Sequence, residues 1–124
     1  MIQYKKYYMP STKEELLKTI DTIDCTYDIL AGGTDLYAKE KTSFNGADAA
    51  IDISGIKEFS VIELKKDEGL ITFGSNICIQ QFLEEKVLME NVPILRHAAI
   101  YFADQQIREM ATVGGNVANS SPSG

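Results

Sequence analysis

The sequence predicts an α+β fold of two small layers, and three patterns carry that prediction. Short apolar runs at residues 27–30 and 49–53 alternate with helical segments in the first half, an order that suits a parallel sheet because parallel neighbours need a crossover helix. Residues 59–73 instead hold two apolar runs around Lys66-Asp67-Glu68-Gly69, whose acids and glycine favour a reversing turn and an antiparallel hairpin. The 124 residues are 44% apolar and 24% charged, a globular balance in which one compact domain fits and a second hardly does. The expected division is residues 1–56 as a βαβ layer and residues 57–124 as the start of a second, mixed α/β layer.

Along the chain, Pro10-Ser11-Thr12-Lys13-Glu14 opens a helix expected over residues 12–23, with Ser11 as N-cap and Glu14 as its capping-box partner. Leu16, Leu17, Ile20 and Ile23 recur at helical spacing and form its buried stripe, leaving Lys13, Glu14, Lys18 and Asp21 to solvent. The strand at 27–30 runs directly into Ala31-Gly32-Gly33-Thr34-Asp35-Leu36, a tight turn leading to a short helix that Asp35 is expected to cap. Residues 79–85 read as a helix. Pro93 opens another, in which Ile94, Leu95, Ala98, Ala99 and Phe102 repeat at helical spacing. The segment from Asp104 onward is small, polar and glycine-rich, and Arg108 with a Gly-Gly-Asn flanked by valines marks it as a packed turn.

Charge and composition exclude several classes of function. The net charge is −6 and the 12 basic residues are scattered, which argues against a groove that tracks nucleic-acid phosphates. No run reaches the roughly 20 apolar residues of a membrane span, and the N-terminus lacks the order of a signal peptide, so no membrane partner and a cytoplasmic location are expected. Cys25 and Cys78 are far apart, and His97 is the single histidine. Neither a zinc site nor an iron–sulfur cluster can be assembled from such a set, and both cysteines read as buried small hydrophobes in a reducing compartment. With His97 in an apolar helix, no Ser-His-Asp or Cys-His arrangement is readable, so no catalytic residue is expected.

The two Gly-Gly pairs remain. Each stands beside a hydroxyl side chain, Thr34 in one case and Thr112 in the other. Backbone N–H groups exposed at such turns can line a nest for a diphosphate, bound by dipoles without a basic cluster. Asn116 and a serine at 120 or 121 could add polar contacts. The plainer alternative makes each pair a turn with positive φ and nothing more. Neither pair matches a P-loop or a Rossmann fingerprint.

Taken together, the segments resemble the FAD-binding subunit or domain of molybdenum hydroxylases, the type found in xanthine dehydrogenase and carbon monoxide dehydrogenase, with a PCMH-type FAD-binding fold. The resemblance covers nearly the whole chain. It rests on the Pro-Ser-Thr helix start, Ala31-Gly32-Gly33-Thr34-Asp35-Leu36, Ile51-Asp52-Ile53-Ser54, the strand end Ile71-Thr72-Phe73-Gly74, Gln106-Ile107-Arg108, Ala111-Thr112-Val113-Gly114-Gly115-Asn116 and Ala118-Asn119-Ser120-Ser121-Pro122. The resemblance implies that Leu30 and the segment Ala31 to Leu36 wrap the FAD pyrophosphate through backbone N–H groups and the Thr34 hydroxyl. Thr112, Gly114, Gly115, Asn116 and Ser121 would face it from the other side. Phe102 would pack on a ring of the cofactor or simply in the core, and Arg108 would be an interdomain or loop-bracing ion rather than a catalyst.

The family function it implies is an FAD-dependent oxidoreductase subunit. Electrons pass from molybdopterin and [2Fe-2S] centres on a large and a small partner subunit, through FAD, to NAD or another acceptor. The sequence stops before an aspartate that the family places after its Ser-x-Pro segment, so a truncated, N-terminal part is expected, which need not be active alone and whose sheet edge could favour self-association. Two alternatives stay open: a non-catalytic module that docks redox partners without binding FAD, and a fragment of a flavin reductase resembling UDP-N-acetylmuramate dehydrogenase.

Overall fold

A computed structural model of the chain describes residues 3–40 and 46–120. The first half is a three-stranded parallel sheet, with β1 (Lys6–Tyr8), β2 (Tyr27–Leu30) and β3 (Ala49–Asp52) in the order β1-β3-β2. Helix α1 (Lys13–Thr22) crosses from β1 to β2, and α2 (Thr34–Glu40) lies between β2 and β3. The central strand β3 is small and apolar up to its last residue, Asp52, and Ala49, Ala50 and Ile51 are all fully buried, as expected of a strand with neighbours on both edges. Leu16 of α1 packs on Ile51 and Ile56, with Tyr8, Ile20, Ile23, Ile53 and Phe59 around them.

The start of α1 differs from the expectation by one residue. Thr12, not Ser11, is the N-cap and accepts a hydrogen bond from Glu15 N at 3.1 Å, while the Glu15 carboxylate accepts from Ser11 N at 2.7 Å and Ser11 Oγ at 2.8 Å. Thr12-x-x-Glu15 has the same spacing as Ser11-x-x-Glu14, so the two frames were equivalent on paper. The frame that prevails turns Leu16 inward and leaves Leu17 52% exposed. Thr12→Ala is expected to cost about 1 kcal/mol in a urea denaturation series. Ser11→Ala should cost clearly less, because Ser11 N still reaches Glu15.

Opposite the α1 face, the sheet carries two tyrosine–carboxylate pairs. Tyr4 Oη donates to Asp28 Oδ2 at 3.0 Å, and Tyr7 Oη donates to Asp52 Oδ2 at 2.6 Å. Burial, then the bond to Asp28, pushes the Tyr4 phenol up. The bond to Asp52, then burial, pushes Tyr7 up to about 12. For Asp52 itself burial opposes ionisation, yet hydrogen bonds from Ser54 and Tyr7 outweigh it and hold the carboxyl below its usual range. A phenol whose folded pKa is raised stays neutral where the unfolded chain has already ionised. Its stabilisation is therefore complete below the ordinary value near 10 and is lost as pH rises through the folded value. Denaturation midpoints measured at pH 9 and pH 11.5 should fall for the wild type and fall less for Tyr7→Phe.

The second half begins with a 3-10 turn at Lys57–Ser60 and continues into a two-stranded antiparallel ribbon, β4 (Ile62–Lys65) with β5 (Leu70–Phe73). Ile62, Leu64, Ile71 and Phe73 fall on one face through the two-residue alternation. Phe73 meets Phe82 edge-on, with centroids 5.4 Å apart. Five short helices follow: α3 (Gln81–Glu84), α4 (Lys86–Asn91), α5 (Pro93–Ile100), α6 (Gln105–Met110) and α7 (Val113–Asn119). Their apolar centre is Ile77, Ile79, Phe82, Leu88, Ala99 and Ala111.

Four expectations are corrected here. The helix read at 79–85 is the shorter α3, because Glu85 turns extended (φ −76°, ψ 112°) and α4 restarts after it. In α5 only Ala99 is buried, while Ile94 is 73% and Leu95 37% exposed, so the periodic stripe is buried only toward its end, where Ala99 and Phe102 meet the helical core. Finally, the glycine-rich end is helical: Asp104 caps α6 by accepting from Ile107 N at 2.8 Å, and Gly114 and Gly115 sit in the first turn of α7. Glycine costs a helix interior about 1 kcal/mol, so composition alone weighed against this assignment. Cys25 and Cys78 are free and half-buried, rather than fully buried, and burial raises the Cys78 thiol pKa. Among the described residues no helix is long and apolar enough to cross a membrane.

Candidate functional site: a cleft between two glycine segments

A cleft of about 660 Å³ lies between the parallel sheet and the helical half. Its first wall begins where β2 ends. Gly33 adopts φ +73°, a left-handed conformation that glycine takes without penalty, and its carbonyl accepts the first helical bond of α2 from Tyr37 N at 3.0 Å. Gly33 is therefore the residue that caps α2. Asp35, expected as the cap, is the second helical residue, where its charge favours the positive end of the helix. The N–H groups of the first turn have no acceptor within a helix, and here they belong to residues that line the cleft.

The second wall is the start of α7. Thr112, itself only 7% exposed, accepts from Gly115 N at 3.1 Å and bridges to Cys78 in a short antiparallel step. Gly114 N donates to Ser75 O at 2.8 Å, so the α7 start lies flat on the segment after β5. The two walls touch at Gly32. A Cβ built there would fall on the carbonyl oxygen of Met110 and 2.7 Å from its carbon, so only glycine lets the two backbones approach this closely.

Of the site residues expected from sequence, Ala31, Gly32, Gly33, Thr34, Asp35, Leu36, Phe102, Thr112, Gly114, Gly115 and Asn116 all line the cleft. Leu30 does not; it is half-buried at the end of β2, paired with Asp52. Ser121 lies outside the described residues. Ser120, the other serine considered, turns its hydroxyl back onto Val117 O at 3.0 Å as part of the α7 C-cap. Phe102 lines the cleft and also packs against the helical core.

Sequence reasoning missed a floor made by Ile53, Ser75 and Asn76. Asn76 is 7% exposed, donates from Nδ2 to Ile53 O at 2.7 Å and so ties the two halves together, while its buried Oδ1 has no partner among the described residues. A buried carbonyl left unpaired costs about 1–3 kcal/mol, and such a cost is commonly retained at a ligand site. The lining includes the carboxylates of Asp28 and Asp35 but, among the described residues, no lysine or arginine. An anion held here must be held by backbone N–H groups and hydroxyls. Glycine backbone, the Phe102 ring and polar side chains thus fit a dinucleotide with a large aromatic system better than a compact polyanion.

Residues 2–124 match the family described as FAD binding domain in molybdopterin dehydrogenase. The chain belongs to this family. Among curated relatives, the nicotinate dehydrogenase FAD-subunit of Eubacterium barkeri is 31% identical over 96% of this chain and 40% of its own length. The xanthine dehydrogenase FAD-binding subunit of Escherichia coli O157:H7 is 34% identical over 77% of this chain and 32% of its own. Among solved structures, carbon monoxide dehydrogenase from Hydrogenophaga pseudoflava superposes with a TM-score of 0.88 at 26% identity, covering 98% of this chain and 42% of the matched chain. The chain thus spans about 40% of the length of the nicotinate dehydrogenase subunit.

Proposed function

We propose that this chain binds FAD in the cleft between its two glycine segments, as the flavin-carrying part of a molybdenum hydroxylase. In that role it relays electrons from molybdopterin and [2Fe-2S] centres on partner subunits to NAD or another acceptor. The observation that carries the reading is the convergence of residues 31–36 and 111–116, far apart in sequence, on one cleft. The relatives support it: those with FAD in their names are subunits of nicotinate and xanthine dehydrogenases. When bound, the flavin supplies the redox chemistry.

The chain's own residues then bind and orient. The turn at Gly33 and the start of α2 offer N–H donors toward a pyrophosphate, Thr34 adds a hydroxyl, and Phe102 offers an aromatic face; the N–H groups of Val113 to Asn116 are donated within the protein, so the α7 wall contributes its Thr112 and Asn116 side chains. Asn76 Oδ1, buried and without a partner among the described residues, marks the floor as a place for a hydrogen-bond donor. Division of labour between residues 1–56 and 57–124 follows, each part supplying one glycine wall. The reading includes a cytoplasmic location, which the two free thiols suit.

An FAD titration of the 124-residue chain tests it, with flavin fluorescence as the binding signal and circular dichroism as the check on folding. Saturable binding in the micromolar range, about −8 kcal/mol, is the expected result. A folded chain that takes up no FAD would overturn the reading in favour of a module that docks redox partners without flavin.

A further inference from the structure

We propose that Arg108 is a positioning residue for the cleft, clamping a strained turn whose residues form its rim. The proposal rests on the FAD reading above. Between α5 and α6 the chain turns at Phe102-Ala103, and both residues line the cleft. Ala103 sits at φ +43°, a left-handed conformation that a residue with a Cβ rarely keeps unless its surroundings impose it. In extended backbone successive carbonyls point to opposite sides; the turn at Ala103 brings two of them to the same side.

Arg108 fills the position those carbonyls define. Its Nη1 donates to Phe102 O at 3.0 Å and to Ala103 O at 3.1 Å, and its Nε donates to Gln80 Oε1 at 2.9 Å. Gln80 is not a passive partner, because its own N donates to Arg108 O at 3.0 Å and Ile79 N donates to Ala111 O at 2.9 Å. The clamp therefore joins the Phe102 rim to the backbone that leads into Thr112. A planar guanidinium can serve both carbonyls and the amide oxygen at once, which a lysine ammonium cannot do in that geometry.

Arg108→Met, Arg108→Lys and the double variant Arg108→Met/Ala103→Gly separate positioning from plain structural support. Arg108→Met should weaken FAD binding about tenfold, the scale of a charge-assisted hydrogen bond, with circular dichroism unchanged, and Arg108→Lys should not restore it. Ala103→Gly placed on Arg108→Met should recover part of the affinity, because glycine holds φ +43° without a clamp. If Arg108 only supported the fold, added glycine flexibility would weaken binding further, and that result would overturn the proposal. Equal affinity of the wild type and Arg108→Met would also overturn it while leaving the FAD reading intact. Should the wild type take up no FAD, amide hydrogen exchange in residues 103–107 still decides. Faster exchange in Arg108→Met supports the clamp, and unchanged exchange removes it.

Discussion

Gly32→Ala is expected to destabilise the chain by about 3 kcal/mol, the upper part of the range for overpacking a tight contact, and to abolish FAD binding. The added methyl falls on the Met110 carbonyl and lies 3.2 Å from Ala111 Cα. All of the obstructing atoms are backbone, so no rotamer change relieves the clash. Nor can the Met110 end of α6 retreat freely, because Ala111 N donates to Ile107 O at 2.7 Å and Ala111 O accepts from Ile79 N at 2.9 Å. The two walls must separate, and the cleft with them. Gly55→Ala is the matched control: a Cβ there meets nothing within 4 Å, so its midpoint should stay within about 0.5 kcal/mol of wild type. Urea denaturation and FAD titration of both variants check the contrast. A Gly32→Ala chain as stable as wild type would show that the glycine segments are not apposed.

Gly33→Val should act differently, weakening FAD binding about a hundredfold while the chain stays folded, at a backbone cost of about 1–2 kcal/mol. At φ +73° a β-branched side chain is strained, and its Cβ would stand 3.0 Å from Tyr37 Cε2. That obstacle is the edge of a half-exposed ring that can swing away. The strain instead forces the Ala31–Thr34 backbone out of its left-handed turn, which redirects the N–H groups at the start of α2. Affinity should therefore suffer more than stability, the reverse of the order expected if the turn were only a connection. Unchanged affinity in an FAD titration would remove this segment from the site.

Both glycine segments could be read in advance as special, but for different reasons and to different depths. The strand, turn and helix at residues 27–40 are local: an apolar run, a Gly-Gly and an acidic first turn agree with one another, and the structure keeps that order. The parallel sheet followed from the same logic, because strand and helix alternate and Ala49-Ala50-Ile51 make a buried apolar strand. At Gly114-Gly115 local propensity pointed away from helix. What decides there is tertiary, since Gly114 lies against Ser75 and the Thr112 hydroxyl caps the turn. The floor of the cleft was illegible for the same reason: nothing in the spacing of Ile53, Ser75 and Asn76 announces that a side-chain amide links one half to the other. Helix α6 did carry a signal, Asp104 three residues before Ile107, but the surrounding polar composition masked it. The apolar spacing in α5 corresponds to burial only in part: Ala99 enters the core, while Ile94 and Leu95 face outward.

The most direct test of the central claim is to follow the backbone amide resonances of the isotope-labelled chain as FAD is added. If both glycine segments form one flavin site, the shifts should concentrate in residues 31–36, 75–76, 102–103 and 111–116, titrate with a single midpoint, and leave the β4–β5 ribbon tip at residues 66–69 unmoved. Shifts confined to one glycine segment, or centred on the exposed face of α5, would contradict the account.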